Sequence, residues 1–273
     1  MADEHTLNKL GYELGATIGE GSYSKVKLAI SSKHSKQVAI KIIDRNNSPH
    51  QVVSKFLPRE MDILRVVKHA HIIHVYEVIE ASNGPVYIVM EAASMDLLDK
   101  IKELNCIPSE QARTWFSQIL SAVDFLHQKD IVHRDLKCEN VLLTAEHKVK
   151  LTDLGFACFS KGHPELRTTY CGSAAYAAPE VLRGVPYDAK KSDVWSLGVI
   201  LYVMVAGGMP FDDTDVSKLP QLQRGVLVYP AAITMEEPCR ALISYMLQYN
   251  PSSRPSVSDV AQQPWLQQQR QEP

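Results

Sequence analysis

His133-Arg134-Asp135-Leu136-Lys137-Cys138-Glu139-Asn140 is the stretch on which the reading of this 273-residue chain turns. It matches the pattern H-R-D-L-x-x-x-N at every defined position. An aspartate beside an attacking hydroxyl can orient it and take its proton, which makes Asp135 the candidate base. Lys137 can neutralise charge on a phosphoryl group in transit. Asn140 offers a side-chain oxygen to a hard cation such as Mg²⁺, which prefers oxygen ligands. A chance surface loop is the plain alternative, and it loses force only if companion motifs stand at suitable spacing.

Downstream, the strand-like Val149 to Thr152 leads into Asp153-Leu154-Gly155, where Asp153 is a second candidate ligand for a Mg²⁺ bridging β- and γ-phosphates. Ala178-Pro179-Glu180 closes the segment that Asp153 opens. Glu180 is expected to form a structural ion pair with Arg254, a kind of pair that is costly to break from one side.

Upstream, Ile18-Gly19-Glu20-Gly21-Ser22-Tyr23-Ser24-Lys25-Val26 is a glycine turn between two strand-like runs. Its glycines let backbone amides come close to phosphates. A plain hairpin turn is the competing reading, since Ser24 stands where a third glycine is common. A strand follows rather than a helix, which argues against a dinucleotide fingerprint. Val38-Ala39-Ile40-Lys41 then puts one lysine at the end of an apolar strand. At this spacing Lys41 suits the α- and β-phosphates of ATP. It needs an acidic partner. Glu60 is the first choice, Asp62 the rival.

The remaining sequence supplies a frame for these motifs. Short strand-like runs at Leu14–Ile18, Lys25–Ile30, Gln37–Ile43, Val75–Ile79 and Val86–Met90 predict strands, the second of them alternating polar and apolar, with Asn83-Gly84-Pro85 as one turn. Helical spacing over Gln51 to Val67 predicts a helix that Pro58 either kinks or starts. Ser109 to Leu126 predicts an amphipathic helix capped by Ser109. The fold class is therefore α+β, with a small β-rich lobe over about residues 12–91 and a mainly helical lobe over about 95–266. Residues 1–11 are an N-terminal extension and 267–273 a polar tail.

Composition bounds the function. Hydrophobic residues are 45% and charged residues 22%, typical of a soluble globular protein. A net charge of −2 without a basic stripe argues against direct nucleic-acid binding. The apolar run Val194 to Ala206 falls short of the roughly 20 residues a membrane span needs, so a buried core helix is expected. The N-terminus lacks the apolar stretch of a signal peptide. Five cysteines without a C-x-x-C pair point to a reducing compartment, the cytoplasm with the nucleus as second choice.

With these motifs in order, the chain resembles the eukaryotic protein kinases over about Tyr12 to Leu266. That resemblance implies the bilobal kinase fold, ATP and Mg²⁺ as cofactors, and serine/threonine side chains of proteins as acceptors. Asp135-Leu136-Lys137 and Gly172-Ser173 are similar to serine/threonine kinases rather than tyrosine kinases. Gly19 to Lys27, Lys55 to Glu60, Leu136 to Asn140 and Thr169 to Tyr176 resemble the testis-specific serine/threonine kinases. In that family Ser24 is usual, whereas Leu154 replaces a customary phenylalanine.

The resemblance implies further roles. Met90 would be the gatekeeper, the backbone of Glu91 and Ala93 would meet adenine, and Val26 and Ala39 would cover it. Asp96 would meet the ribose or a substrate arginine. Thr169, with Thr168 as rival, would be the regulatory phosphosite, its phosphate pairing with Arg134. Asp96 and Glu139 suggest substrates with basic residues upstream of the target serine. Control is expected from an upstream activating kinase or autophosphorylation, with a chaperone as a further partner. Male germ-cell differentiation is the implied setting. A pseudokinase scaffold is the alternative, motivated by Leu154 and Ser24. A small-molecule kinase is a third reading.

Overall fold

Five antiparallel strands fill the N-terminal third. They are β1 (Tyr12–Glu20), β2 (Ser24–Ser31), β3 (Lys36–Ile43), β4 (Val75–Glu80) and β5 (Val86–Glu91), in sheet order β1-β2-β3-β5-β4. The computed structural model describes residues 2–21, 24–81, 84–169 and 171–268. Ser22, Tyr23, Asn83 of the predicted turn, and residues 269–273 of the predicted tail lie outside the described residues.

β3 and β5 are apolar almost throughout because both faces of the sheet are covered. Successive side chains on a strand point to opposite faces. Val38, Ile40 and Ile42 accordingly join Tyr87 and Val89 in one cluster, while Ala39, Ile43, Val86, Ile88 and Met90 join another. The first cluster is closed by helix α1 (Ala2–Lys9), which drives Leu7 fully out of solvent. Nothing in the local sequence marks this extension as a helix. Its eight residues carry too short a pattern to show a helix, and Leu7 owes its burial to the sheet beneath it.

The second cluster is closed by α2 (Leu57–Val66), through Leu57 and Met61. The predicted helix over 51–67 changes kind along its length. A π-helical turn, Val52–Phe56, precedes α2, and Pro58 falls in the first turn of α2. Residues 50–66 are helical without a break, so of the two readings of Pro58 the irregular helix is the one observed, with the π-helical turn as its irregularity.

The C-terminal part is built on helices α3 (Leu97–Leu104), α4 (Ser109–Gln128), α5 (Pro179–Leu182), α6 (Ala189–Ala206), α7 (Leu219–Leu222), α8 (Glu237–Met246), α9 (Val257–Ala261) and α10 (Pro264–Gln267). Five short strands lie between the lobes and along the catalytic segments. They are β6 (Met95–Asp96), β7 (Ile131–Val132), β8 (Val141–Leu143), β9 (Val149–Leu151) and β10 (Cys158–Phe159), paired as β6-β8-β9 and β7-β10. α4 runs slightly beyond its predicted end. Its predicted cap is corrected: Pro108 holds the N-cap position, and the Ser109 hydroxyl donates to Glu236 instead.

α6 is buried on every side, as a helix lacking amphipathicity should be. Val194 to Ala206 thus form the expected core helix, and no helix among the described residues is long and apolar enough to cross a membrane. Arg254 is fully buried and forks onto Glu180, with Nη2 to Oε2 at 2.6 Å. Its other donors reach the carbonyls of Gln248, Tyr249 and Lys191, and its guanidinium lies 5.0 Å from the Trp195 ring centre. This buried charge is paired and hydrogen-bonded all round, which is what makes its burial tolerable. The lobes are tied together where Ile73 N–H donates to Leu151 O and Leu151 N–H donates to His71 O, each at 2.8 Å.

Candidate active site

Lys41 leaves β3 opposite Ile88 of β5 and points between the lobes. Its Nζ lies 2.8 Å from Glu60 Oε1 on α2 and 3.1 Å from Asp153 Oδ1. The choice between Glu60 and Asp62 is therefore settled geometrically. Asp62 sits on the exposed side of α2, pairing with Arg65 at 3.1 Å. Burial alone would lower the Lys41 pKa, but the two carboxylates outweigh it and hold it well above its ordinary value. In return Lys41, against the effect of burial, brings the Asp153 carboxyl down to about 2.

The catalytic loop is pinned from below. Asp193, buried in α6, accepts from His133 N–H and Arg134 N–H at 2.9 Å and meets His127 Nε2 at 2.8 Å. Burial pushes the Asp193 carboxyl up, but these contacts prevail and leave it below the usual range. His133 Nε2 also reaches Thr152 O at 3.0 Å, joining the loop to the segment before Asp153. Arg134 and Asp153 both have left-handed backbones, at φ 66° and 60°. Non-glycine residues adopt that conformation rarely, and it gathers at sites where side chains must be aimed.

These constraints set the Asp135 carboxylate. Its Oδ2 meets Asn140 Nδ2 at 3.1 Å and Lys137 Nζ at 3.2 Å. Its Oδ1 accepts from Ser173 N–H at 2.9 Å and Ser173 Oγ–H at 3.2 Å. Lys137 Nζ donates in turn to Ser173 Oγ at 3.0 Å. Gly172 makes this approach possible. A Cβ there would stand 2.4 Å from Arg134 O, and its φ of +91° suits glycine alone.

The nucleotide side is partly assembled. Gly21 N–H donates to Ser24 O at 2.7 Å, which tightens the glycine turn ahead of β2 and leaves Ile18, Gly19, Glu20 and Lys25 on the paired strands beside it. Val26, Ala39 and Met90 belong to one apolar cluster, joined by Leu142 of β8 from the other lobe. Glu91 N–H is spent on His74 O at 2.9 Å, so it is not the donor a ring would meet here. Its side chain is held by His74 N–H at 2.7 Å and Lys150 at 2.8 Å. Ala93 follows it in the connector. Asp96 acquires a structural duty, capping α3 by accepting from Asp99 N–H at 2.9 Å.

Asn140 and Asp153 fit a magnesium–nucleotide complex. Asn140 spends its Nδ2 on Asp135 O and Oδ2, so Oδ1 is the atom it can present to a cation. Among the described residues no group of three His, Cys, Asp or Glu could hold a metal ion alone. A two-residue set of this kind suits Mg²⁺, which keeps water and phosphate oxygens as its other ligands.

Thr169 is half-buried and its carbonyl accepts from Tyr187 OH at 3.0 Å, while Thr168 is exposed. Tyr187 also bonds to Arg134, so Thr169 and Arg134 flank one ring. Arg134 donates Nε to Phe156 O at 2.8 Å, and its buried Nη2 has no partner. Leu154 is buried in the same core as Leu136 of the catalytic loop and Ile63 of α2. Cys138 is inert by position, its thiol pushed up to about 12 by burial, and burial raises Cys171 as well.

Sequence reasoning passed over three contributors. Ser173 stood only inside motifs quoted for resemblance, and Asp193 and Leu142 were assigned no role. A hydroxyl two residues past a cysteine and an aspartate in an apolar helix gain meaning only when the chain brings them to Asp135 and the loop amides.

The protein kinase domain family matches residues 12–266. Testis-specific serine/threonine-protein kinase 3 of Homo sapiens is 46% identical over 265 residues, covering 96% of this chain and 98% of that protein. Testis-specific serine/threonine-protein kinase 2 of Mus musculus is 47% identical over 273 residues, covering 98% and 76%. A SNF1-related protein kinase catalytic subunit of Arabidopsis thaliana is 41% identical over 272 residues, covering 97% and 54%. A matched domain, an α+β architecture with the sheet in one lobe, and relatives of this closeness agree: the chain belongs to the protein kinase family, as a serine/threonine kinase of the testis-specific group.

Proposed function

We propose that this kinase uses Mg²⁺·ATP through the residues its geometry gathers, and that the Lys41 bridge between Glu60 and Asp153 carries the reading. Lys41 would hold the α- and β-phosphates, and Asn140 and Asp153 the cation. The glycine turn from Ile18 to Val26, with Ala39, Met90, Glu91, Ala93 and Asp96, would seat the nucleotide. When bound, Mg²⁺·ATP supplies the electrophilic γ-phosphoryl group and neutralises phosphate charge. Asp135 orients the acceptor serine or threonine hydroxyl and takes its proton. Lys137 balances the charge that grows on the transferred group, and the Asp193 contacts keep both side chains aimed.

Thr169 is the regulatory phosphosite in this reading. Its phosphate would pair with the unpartnered Nη2 of Arg134 and order the segment. Basic residues upstream of the acceptor, an upstream kinase or autophosphorylation, a chaperone, action in the cytoplasm or nucleus, and a part in male germ-cell differentiation complete the proposal. These rest on resemblance to relatives named as testis-specific kinases. Calorimetric titration with ATP, with and without Mg²⁺, tests the binding half. The wild type should bind ATP far more tightly with Mg²⁺, and Asp153→Asn should lose that difference. Equal affinity with and without Mg²⁺ would sink the cation assignment.

A further inference from the structure

The hydroxyl of Ser173 joins two groups of the candidate site. It donates to Asp135 Oδ1 at 3.2 Å and accepts from Lys137 Nζ at 3.0 Å, the two groups assigned to the acceptor hydroxyl and the transferred phosphoryl group. The Ser173 N–H also donates to Asp135 Oδ1, at 2.9 Å. Ser173 is half-buried and stands four positions after Thr169 on the same segment. Thr169 shares Tyr187 with Arg134, whose buried Nη2 has no partner, and Ser173 lies against a carboxylate.

We infer that Ser173 is an inhibitory phosphorylation site, and that a phosphate on its Oγ switches the kinase off. The inference rests on the proposed roles of Asp135 and Lys137. The modifying reaction is ordinary phosphoryl transfer from ATP by a protein-serine kinase. The Oγ–P bond forms, the bond from the γ-phosphorus to the ADP oxygen breaks, ADP leaves, and the hydroxyl proton passes to the modifying enzyme's base. The product carries about −1.5 to −2 charges where a neutral hydroxyl stood.

The consequences follow from distance. A phosphate on Oγ faces Asp135 Oδ1 from a bond that was 3.2 Å long, so like charges collide. It draws Lys137 Nζ away from Asp135 Oδ2, a contact of 3.2 Å. Asp135 thus loses its Ser173 donors and its Lys137 contact together. The segment cannot yield slightly to make room. Gly172 already passes so close to Arg134 O that even a Cβ would meet it at 2.4 Å. The phosphorylated segment must leave the catalytic loop altogether, taking with it the surface that borders the acceptor position.

The test uses full-length protein with phosphoserine incorporated at position 173 during translation. Peptide phosphorylation with Mg·ATP is measured for this form, for unmodified protein, and for the modified form after phosphatase treatment. The expected result is a loss of at least about a hundredfold, at the low end of what an assigned base contributes, with recovery after phosphatase. Recovery shows that the modified chain had stayed folded. Activity within a few-fold of the unmodified protein would overturn the inference. So would phosphopeptide mapping of protein from its native cells, under phosphatase inhibition, that finds Thr169 modified and Ser173 never. Failure of the unmodified protein to transfer phosphate would instead strike the functional reading beneath it.

Discussion

Asp135 holds its carboxylate between two pairs of donors, one from the catalytic loop and one from Ser173. A side chain fixed this way needs little reorganisation when it accepts a proton. Ser173→Ala should therefore lower kcat while leaving the KM for ATP nearly unchanged, and Ser173→Thr should restore much of the loss. An effect confined to KM for ATP would contradict a positioning role. At the other end of the site, Asp153 titrates at about 2 in the folded protein, below the roughly 3.9 of a free aspartate. A depressed carboxyl contributes stability that is present above its unfolded value and lost as pH falls through the folded one. The stability difference between wild type and Asp153→Asn should thus stay flat from pH 8 to about 5 and decline toward pH 2. Denaturant titrations across that range check it, and a difference insensitive to acid would refute the Lys41–Asp153 pairing.

Elements differ in how openly the sequence announces them. The catalytic run, Lys41 and Asp153 were legible because their chemistry tolerates few substitutions at fixed spacing. The strands of the sheet were legible because short apolar runs bounded by turn residues are a local pattern. Three features were not. The cap of α4 misled because the Ser109 hydroxyl finds Glu236, over a hundred positions away. The π-helical turn before α2 leaves the same apolar spacing as a regular helix over so short a run. The helix α1 shows only once Leu7 has a sheet to enter. Leu7→Ala should cost about 2–5 kcal/mol of stability, the range for emptying a buried leucine site. A change under about 0.5 kcal/mol, as at an exposed position, would mean that α1 is not docked. The Glu180–Arg254 fork has larger stakes. Arg254→Ala leaves a buried carboxylate alone and should cost about 3–5 kcal/mol, read as a fall in the denaturant midpoint.

Across the whole molecule, the site exists only where the lobes meet. Lys41 and Glu60 come from the sheet side, Asp135 and Asn140 from the helical side, and Asp153 bridges them through its contact with Lys41. The catalytic loop hangs from α6 through Asp193, and Leu154 shares a core with both lobes through Leu136 and Ile63. That arrangement leaves the departure at Leu154 well packed and gives the scaffold-only alternative no structural support. The central claim is that Asp135 on this platform takes the acceptor proton. Its most direct test is the initial rate of phosphoryl transfer from Mg·ATP to a basic serine peptide, for Thr169-phosphorylated wild type and Asp135→Asn, with ATP affinity measured alongside. The predicted result is a fall of about 10²–10⁴ in rate at nearly unchanged ATP affinity; equal rates for the two proteins would contradict the account.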